Sequence, residues 1–445
     1  MLSDKLTLLL KALPFVLNYL LNSTLHRLTA ISHKWTYAPT PNAKTILVIG
    51  GSFAGLQTVR RLCQTIPTGY KVLWIEKNSH LNYVFALPRF SVIKGLESKA
   101  FIPYSGIEKS APRGMLRRVH GTVQSVDGEK KVVKLNDGTE VEYEYLVLAT
   151  GSTRPVPSQL LSSNRDDAIG ELRDMQHLVK GSQKIAIVGA GAVGVELAAD
   201  IKDVYPGKEV TLVHSHEGIL SRFGERLGMY ALQALRDELR VRVLLRERPE
   251  APKEKGGLGL MRDTKLVFGD GREEEFDLVI PCTGQTPNSS ILSSSHPEAI
   301  SENGQVLVEP TLQLQVATST FTSPSSVLKQ SPQIKTKNEI FALGDVAAHT
   351  GPLMARAGFM QAEIVVRNIL SLINGREPRA IYRPNWFIEG SIKITLGQEH
   401  YVVYACERDG KGEVLIASRG GKVDLDVGRA WGELGVSMEA AGATI

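Results

Sequence analysis

One pattern occurs twice in this chain and constrains its architecture more than any other feature. The segment "TILVIGGSFAG" (residues 45–55) reads as a strand entering a glycine turn, followed by the helical stretch "LQTVRRLCQTI" and the strand "KVLWIEK". The second copy, "KIAIVGAGAVGVELAADI" from Lys184, is followed by the strand "EVTLVHS". Strand, glycine turn, helix and second strand form the βαβ context in which a G-x-G-x-x-G string becomes informative. The copies also close alike, "EYEYLVLATG" at Gly151 and "EEEFDLVIPCTG" at Gly284. From Gly50 to Gly151 is 101 positions and from Gly189 to Gly284 is 95, so the two units are nearly equal in length. Internal repetition of this kind predicts an α/β fold with two Rossmann-like domains, each able to hold one dinucleotide.

The glycines have distinct duties. The first permits a tight turn, the second lets the backbone approach a pyrophosphate, and the third lets helix and strand pack closely. The second copy is complete at Gly189, Gly191 and Gly194, whereas the first places Ser52 between Gly50 and Gly55. Serine adds one small Cβ and a hydroxyl that can donate to a phosphate oxygen, so Ser52 reads as a tolerated variant. Glu76 ends the strand about twenty residues after Gly55, where an acid binds a ribose hydroxyl pair. The matching place after Lys184 holds His214, followed by Ser215 and His216. With no carboxylate there to repel a 2′-phosphate, the reading leans towards NADPH or dual use.

Composition narrows the remaining classes. The 445 residues are 42% hydrophobic and 22% charged with a formal net charge of +5, which fits a soluble multidomain protein and gives no reason to expect a nucleic-acid partner. The densest basic stretch sets Arg240 and Arg242 two apart, as on the wet face of a strand. Cys63, Cys282 and Cys406 are far apart, and neither they nor the ten histidines form a redox pair or a zinc motif. The first thirty residues are apolar but carry Lys11, Pro14 and Asn18. They fit an interfacial anchor, a targeting segment or a helix packed on the body, and a Pro-containing linker follows.

With both repeats in view, the chain resembles the two-dinucleotide-domain flavoprotein oxidoreductases. Within them it is most similar to the apoptosis-inducing-factor-like group that includes the ferroptosis-suppressor NAD(P)H:ubiquinone reductases. The resemblance runs from about Ile46 to about Leu396, most distinctively in "FIPYS", "LATGSTRPVP", "GVELAADIKDVYPGKEVTLVHS" and "ALGDVA". It implies FAD on Gly50, Gly51, Ser52, Phe53, Ala54 and Gly55, on Glu76, Arg89 and Val123, at the Thr150-Gly151 turn, and on Gly344 and Asp345. It implies NADH or NADPH over Gly189, Gly191 and Gly194, with Glu196 near the nicotinamide and His214 at the ribose. A helix from about Pro352 would point its positive end at the flavin, stabilising the anionic reduced ring. The implied layout is an apolar segment and linker over 1–43, and an FAD domain over 44–155 and 296–375; in departure from the family this domain carries a Ser/Thr/Pro-rich insertion near 316–337, expected to be disordered because so polar a stretch has little to bury. An NAD(P) domain over 156–295 and a C-terminal α+β domain over 376–445 complete it.

The implied activity is hydride transfer from NAD(P)H to FAD, then electron delivery to a small acceptor, a quinone or a pathway metabolite. A specialised biosynthetic flavoenzyme and a signalling or nucleic-acid-associated flavoprotein stand as the alternatives. Trp386 and Phe387 read equally as ring contacts for the acceptor or as core. Members that begin Met-Gly carry a myristoyl group, whereas Met-Leu-Ser offers none. The apolar N-terminus is expected to supply peripheral membrane contact instead, with a mitochondrial or a cytoplasmic location both open.

Overall fold

The computed structural model describes residues 2–250, 258–318, 333–439 and 442. Lys44–Ile49 enters the first sheet with its last four residues buried. The strand order is Gln313–Thr318, Gln333–Ala342, Tyr145–Leu148, Lys44–Ile49, Tyr70–Glu76 and Leu116–His120. All neighbours run parallel except the first two. Register is set at Lys44 opposite Tyr70 and Ile46 opposite Tyr145. Covered on both faces, the central strands Lys44–Ile49 and Tyr145–Leu148 are near-continuous apolar runs, as parallel sheets require.

The second sheet repeats the plan in the order Arg242–Leu244, Glu209–Val213, Lys184–Val188, Glu273–Pro281 and Met261–Val267, with only the last pair antiparallel. Arg242 opens its edge strand and pairs with Glu274 at 2.7 Å, while Arg240 precedes the strand with φ +57°. A third, antiparallel sheet of Ile392–Thr395, Tyr401–Ala405 and Val414–Ser418 joins short helices at Trp386–Glu389 and Val427–Glu433. Its Ile394, Val402 and Tyr404 share a core with Ile185, Ile187 and Leu212 of the second sheet.

One stretch of chain differs from the sequence reading. The Ser/Thr/Pro-rich insertion near 316–337 is expected to be irregular throughout. Its flanks instead belong to the paired strands Gln313–Thr318 and Gln333–Ala342, joined from Thr318 opposite Gln333. Residues 319–332 lie outside the described residues. The N-terminal segment forms one helix, Leu2–Thr36, running through Pro14. It is long and apolar enough to cross a membrane, yet it lies along the body.

Arg89 is the other departure. It is 1% exposed and spent on a buried ion pair, its Nη2 donating to Asp200 at 2.8 Å and to the Gly397 carbonyl at 2.6 Å. Its Nη1 reaches the Gln398 and Lys422 carbonyls, both at 3.4 Å. The guanidinium thus joins the first unit to the second domain's helix Ala192–Val204 and to the C-terminal sheet, with no hydrogen bond left for a pyrophosphate. Removing one partner of a buried pair leaves the other charge uncompensated. Arg89→Met should therefore lower unfolding stability by about 3–5 kcal/mol, and Arg89→Met/Asp200→Leu should recover most of it in denaturant titrations. A single variant as stable as the wild type would refute this role.

Candidate functional site

The two glycine turns superimpose in their chemistry. Gly50 and Gly189 have φ +105° and +115°, a region open to glycine. A Cβ on Gly55 would stand 2.1 Å from the Gly50 carbonyl oxygen, and one on Gly194 would stand 1.9 Å from that of Gly189. The middle position is different. Ser52 caps its helix at φ −82°, ψ −167° and Gly191 does so at φ −74°, ψ −175°, both extended backbone. A Cβ on Gly191 would meet nothing within 4 Å, and Ser52 itself is exposed with no capping bond from its side chain. The fold therefore accepts serine there without strain, and its hydroxyl is free for a ligand.

Glu76 and His214 occupy matching places. The Gly50 amide donates to the Ile75 carbonyl and the Gly189 amide to that of Val213, so the next residue in each strand faces the turn. The Gly51 amide donates to the Glu76 carboxylate, which also accepts from the Asn78 amide and side chain, both at 2.7 Å. Burial pushes the Glu76 carboxyl above its usual range, and those hydrogen bonds pull it back. In the second unit the Ala190 amide donates to His214 Nδ1 at 3.2 Å. Burial, and then His216, hold His214 below its ordinary value, so the ring is neutral with its proton on Nε2. That nitrogen is buried without a partner. Where the first unit offers acceptors, the second offers a donor.

The third element meets the first turn. Gly344, at φ +75°, donates its amide to Gln361 at 2.7 Å. A Cβ on Gly344 would come within 3.2 Å of the Ala54 Cβ, and one on Gly358 within 2.9 Å of it. The Gly-Asp pair and the helix Ala355–Ile373 therefore close on the start of the fingerprint helix Phe53–Thr65. Phe53 packs against Phe85 at 5.0 Å and Phe359 at 6.3 Å between ring centroids. Asp345 accepts from Arg154 at 2.6 Å and from Ser152 and Gln285 at 3.1 Å. Thr150 donates to the Asn288 carbonyl at 2.8 Å, and the Asn288 amide donates to Gly151 at 2.9 Å. The closing turn of the first unit is thus sewn to the chain just past the closing turn of the second. Val123 starts the strand Val123–Asp127, nearly buried beside Ile49 and Ile75.

On the second unit's helix, Glu196 accepts from the Thr395 amide and hydroxyl at 3.0 and 3.1 Å. Asp200 takes Arg89, and Asp203 takes the Gln398 amide at 2.9 Å. These three carboxylates lie on one helix face; Glu196 and Asp203 fasten the C-terminal domain, and Asp200 holds Arg89 of the first unit. Burial pushes Glu196 up to about 7 and Asp200 up to about 6.

The residues fit two dinucleotides. Of the described helices with nine or more residues, three have no acid in the first turn and no side-chain cap, namely Phe53–Thr65, Ala192–Val204 and Ala355–Ile373. By contrast Arg165–Gly181 has Asn164 as cap and Asp166 and Asp167 in its first turn. Uncompensated positive helix ends suit phosphates and an anionic ring. The site also contains groups that sequence spacing missed. Tyr104 donates to the Gly51 carbonyl at 2.9 Å and Trp74 to that of Gly50 at 3.1 Å, bracing the first turn from beneath. "FIPYS" marked Tyr104 only as a motif letter, and nothing local marked Arg154 as the partner of Asp345.

Two predictions follow from this geometry. Ser52→Gly should retain flavin, whereas Ser52→Leu should fold yet lose it, because its side chain projects into the space left for phosphate; visible flavin absorbance of the purified variants is the check. Glu196 has a raised pKa, so its contribution to stability is complete below the ordinary glutamate range and lost as pH rises through about 7. The melting temperature of the wild type should fall relative to Glu196→Gln between about pH 5 and about pH 8, and a constant difference would contradict it.

Comparison with known proteins agrees with this construction. Residues 44–364 match the family model described as pyridine nucleotide-disulphide oxidoreductase. The chain is 33% identical to Fe-regulated protein 8 of Mycosarcoma maydis over 89% of its own length and 96% of that protein. It is 30% identical to human Ferroptosis suppressor protein 1 over 76% of its length and 83% of that protein. Among solved structures, the sulfide:quinone oxidoreductase of Aquifex aeolicus shares the fold, with TM-score 0.65 at 16% identity over 91% of this chain and 92% of that one. The chain therefore belongs to the pyridine nucleotide-disulphide oxidoreductase family, in its ferroptosis-suppressor and apoptosis-inducing-factor-like part, and is an FAD-dependent NAD(P)H oxidoreductase.

Proposed function

We propose that this oxidoreductase passes electrons from NADPH, through FAD, to a small quinone-type acceptor at a membrane. The observation that carries the choice of acceptor is the state of the thiols: Cys63, Cys282 and Cys406 are all free. Burial pushes Cys63 and Cys282 up to about 12, so neither offers a reactive thiolate. When bound, the cofactors supply hydride transfer between nicotinamide and flavin rings and the onward delivery of electrons. The protein's own part is positional. Ser52, Glu76, Arg154 and Asp345 hold and orient the first dinucleotide, and Gly189 to Gly194 with His214 hold the second.

The acceptor side is the C-terminal domain. Phe387 is 2% exposed and belongs to a core cluster with Ala405 and Val414, so it is core. Trp386, beside it on the short helix packed against Ala355–Ile373, keeps Nε1 buried and unpartnered. That N–H is a donor suited to a quinone carbonyl. The preference for NADPH rests on His214, because an N–H donor suits an acceptor such as a 2′-phosphate, whereas a carboxylate suits a hydroxyl pair.

The test is anaerobic. Flavin in the full chain should bleach on mixing with NADPH faster than with NADH, and a ubiquinone analogue added afterwards should restore its colour. His214→Glu should shift the kcat/KM ratio of NADPH to NADH towards NADH by about 10- to 100-fold. Bleaching without recovery on any quinone would reject the acceptor.

A further inference from the structure

The helix Leu2–Thr36 is amphipathic in an inverted sense. Asp4 and Lys11 turn towards the protein, whereas most of its leucines face away. Asp4 pairs with Arg226 at 2.6 Å, and Lys11 pairs with Glu407 at 2.8 Å while standing 4.8 Å over the Phe387 ring. Leu8 packs on the Phe387 cluster. Later turns rest on the helix Phe53–Thr65, and just past the helix Tyr37 is buried, its hydroxyl donating to the Tyr70 carbonyl at 2.9 Å. At about 100° per residue these docked positions share one narrow stripe.

The opposite side is bare. Leu6, Leu9, Leu10, Leu13, Leu17 and Leu20 are each at least 45% exposed, and the row continues through Leu28 and Ile31 to Trp35 at 87%. Outward apolar positions cover an arc of roughly 240° along about 50 Å of helix. A two-helix seam needs only a narrow a/d stripe, so this breadth suits a continuous apolar medium better than a second copy. The charges agree. Asp4, the helix's one acid, is neutralised by Arg226, and the exposed charges Lys5, Arg27 and Lys34 are all basic. Lys5 and Lys34 stand near the two ends of the helix, and basic groups there are what anionic headgroups attract.

We propose that this helix is an in-plane anchor, lying lengthwise in one leaflet of an anionic bilayer without crossing it. The proposal rests on the membrane reading above and goes beyond it. Asp4 at one end and Tyr37 just past the other are tied to the same body, and a crossing helix would have to break one of these ties. The bilayer would therefore run parallel to the helix, with the Phe387 cluster on the other side of it.

The test uses the full-length flavoprotein and vesicles of phosphatidylcholine alone or with phosphatidylserine. The wild type should float with vesicles, at least about 10-fold more with the anionic ones. Leu13→Glu/Leu17→Glu should abolish flotation while flavin content and melting temperature stay unchanged, since both side chains point away from the body. A thiol introduced as Ser3→Cys and another as Lys34→Cys should each react with an impermeant reagent added outside sealed vesicles, above the wild-type background. Protection of one of them would mean a crossing helix and would overturn the in-plane anchor while leaving membrane residence intact. No flotation with either vesicle would overturn both. A wild-type dimer that the leucine variant splits, without vesicle binding, would assign the face to a second copy.

Discussion

In each βαβ unit the last glycine of the turn lies so close to the first glycine's carbonyl that no side chain fits between them. Gly55 against Gly50 and Gly194 against Gly189 bring a helix end hard against the middle of its sheet. Everything at the site inherits that proximity. Ala54 becomes the surface on which Gly344 and Gly358 close, which seats the Gly-Asp element and a second helix end beside the first turn. Had these backbones stood a methyl group further apart, the Gly-Asp element would not close on the first turn.

The two units offer equivalent cradles that differ at one strand end. Glu76 and His214 are read by the same backbone amide of their respective turns, Gly51 and Ala190. One presents lone pairs to what lies beyond and the other a proton. Both side chains satisfy the equivalent turn amide, so that contact is kept in each unit.

What was legible in the sequence is what local chemistry dictates. The repeat, its closing turns and the tolerance of Ser52 follow from glycine sterics and strand patterning, the Gly-Asp element was legible only through the family resemblance, and the parallel sheets form as the repeat requires. The contacts that were not legible join residues with no periodic relation. Arg89 reads as a ligand cation by position, yet Asp200 lies 111 residues away and claims it. Arg154 meets Asp345 across 191 residues. The flanks of the Ser/Thr/Pro-rich stretch look too polar for a sheet, but their hydrogen bonds come from each other at its edge. The N-terminal helix showed its apolar character in sequence but not its orientation, since only the body determines which face is taken.

The N-terminal helix also touches all three domains: Arg226 of the second, Glu407 of the C-terminal and, further on, the first through Phe53–Thr65. Pro14 falls between the first docking station, residues 4–11, and the later ones. A proline inside a helix removes one backbone hydrogen bond and softens the rod at that point. The helix is thus a strap softened at Pro14, a point that lies between its contacts to the second and C-terminal domains and its contacts to the first.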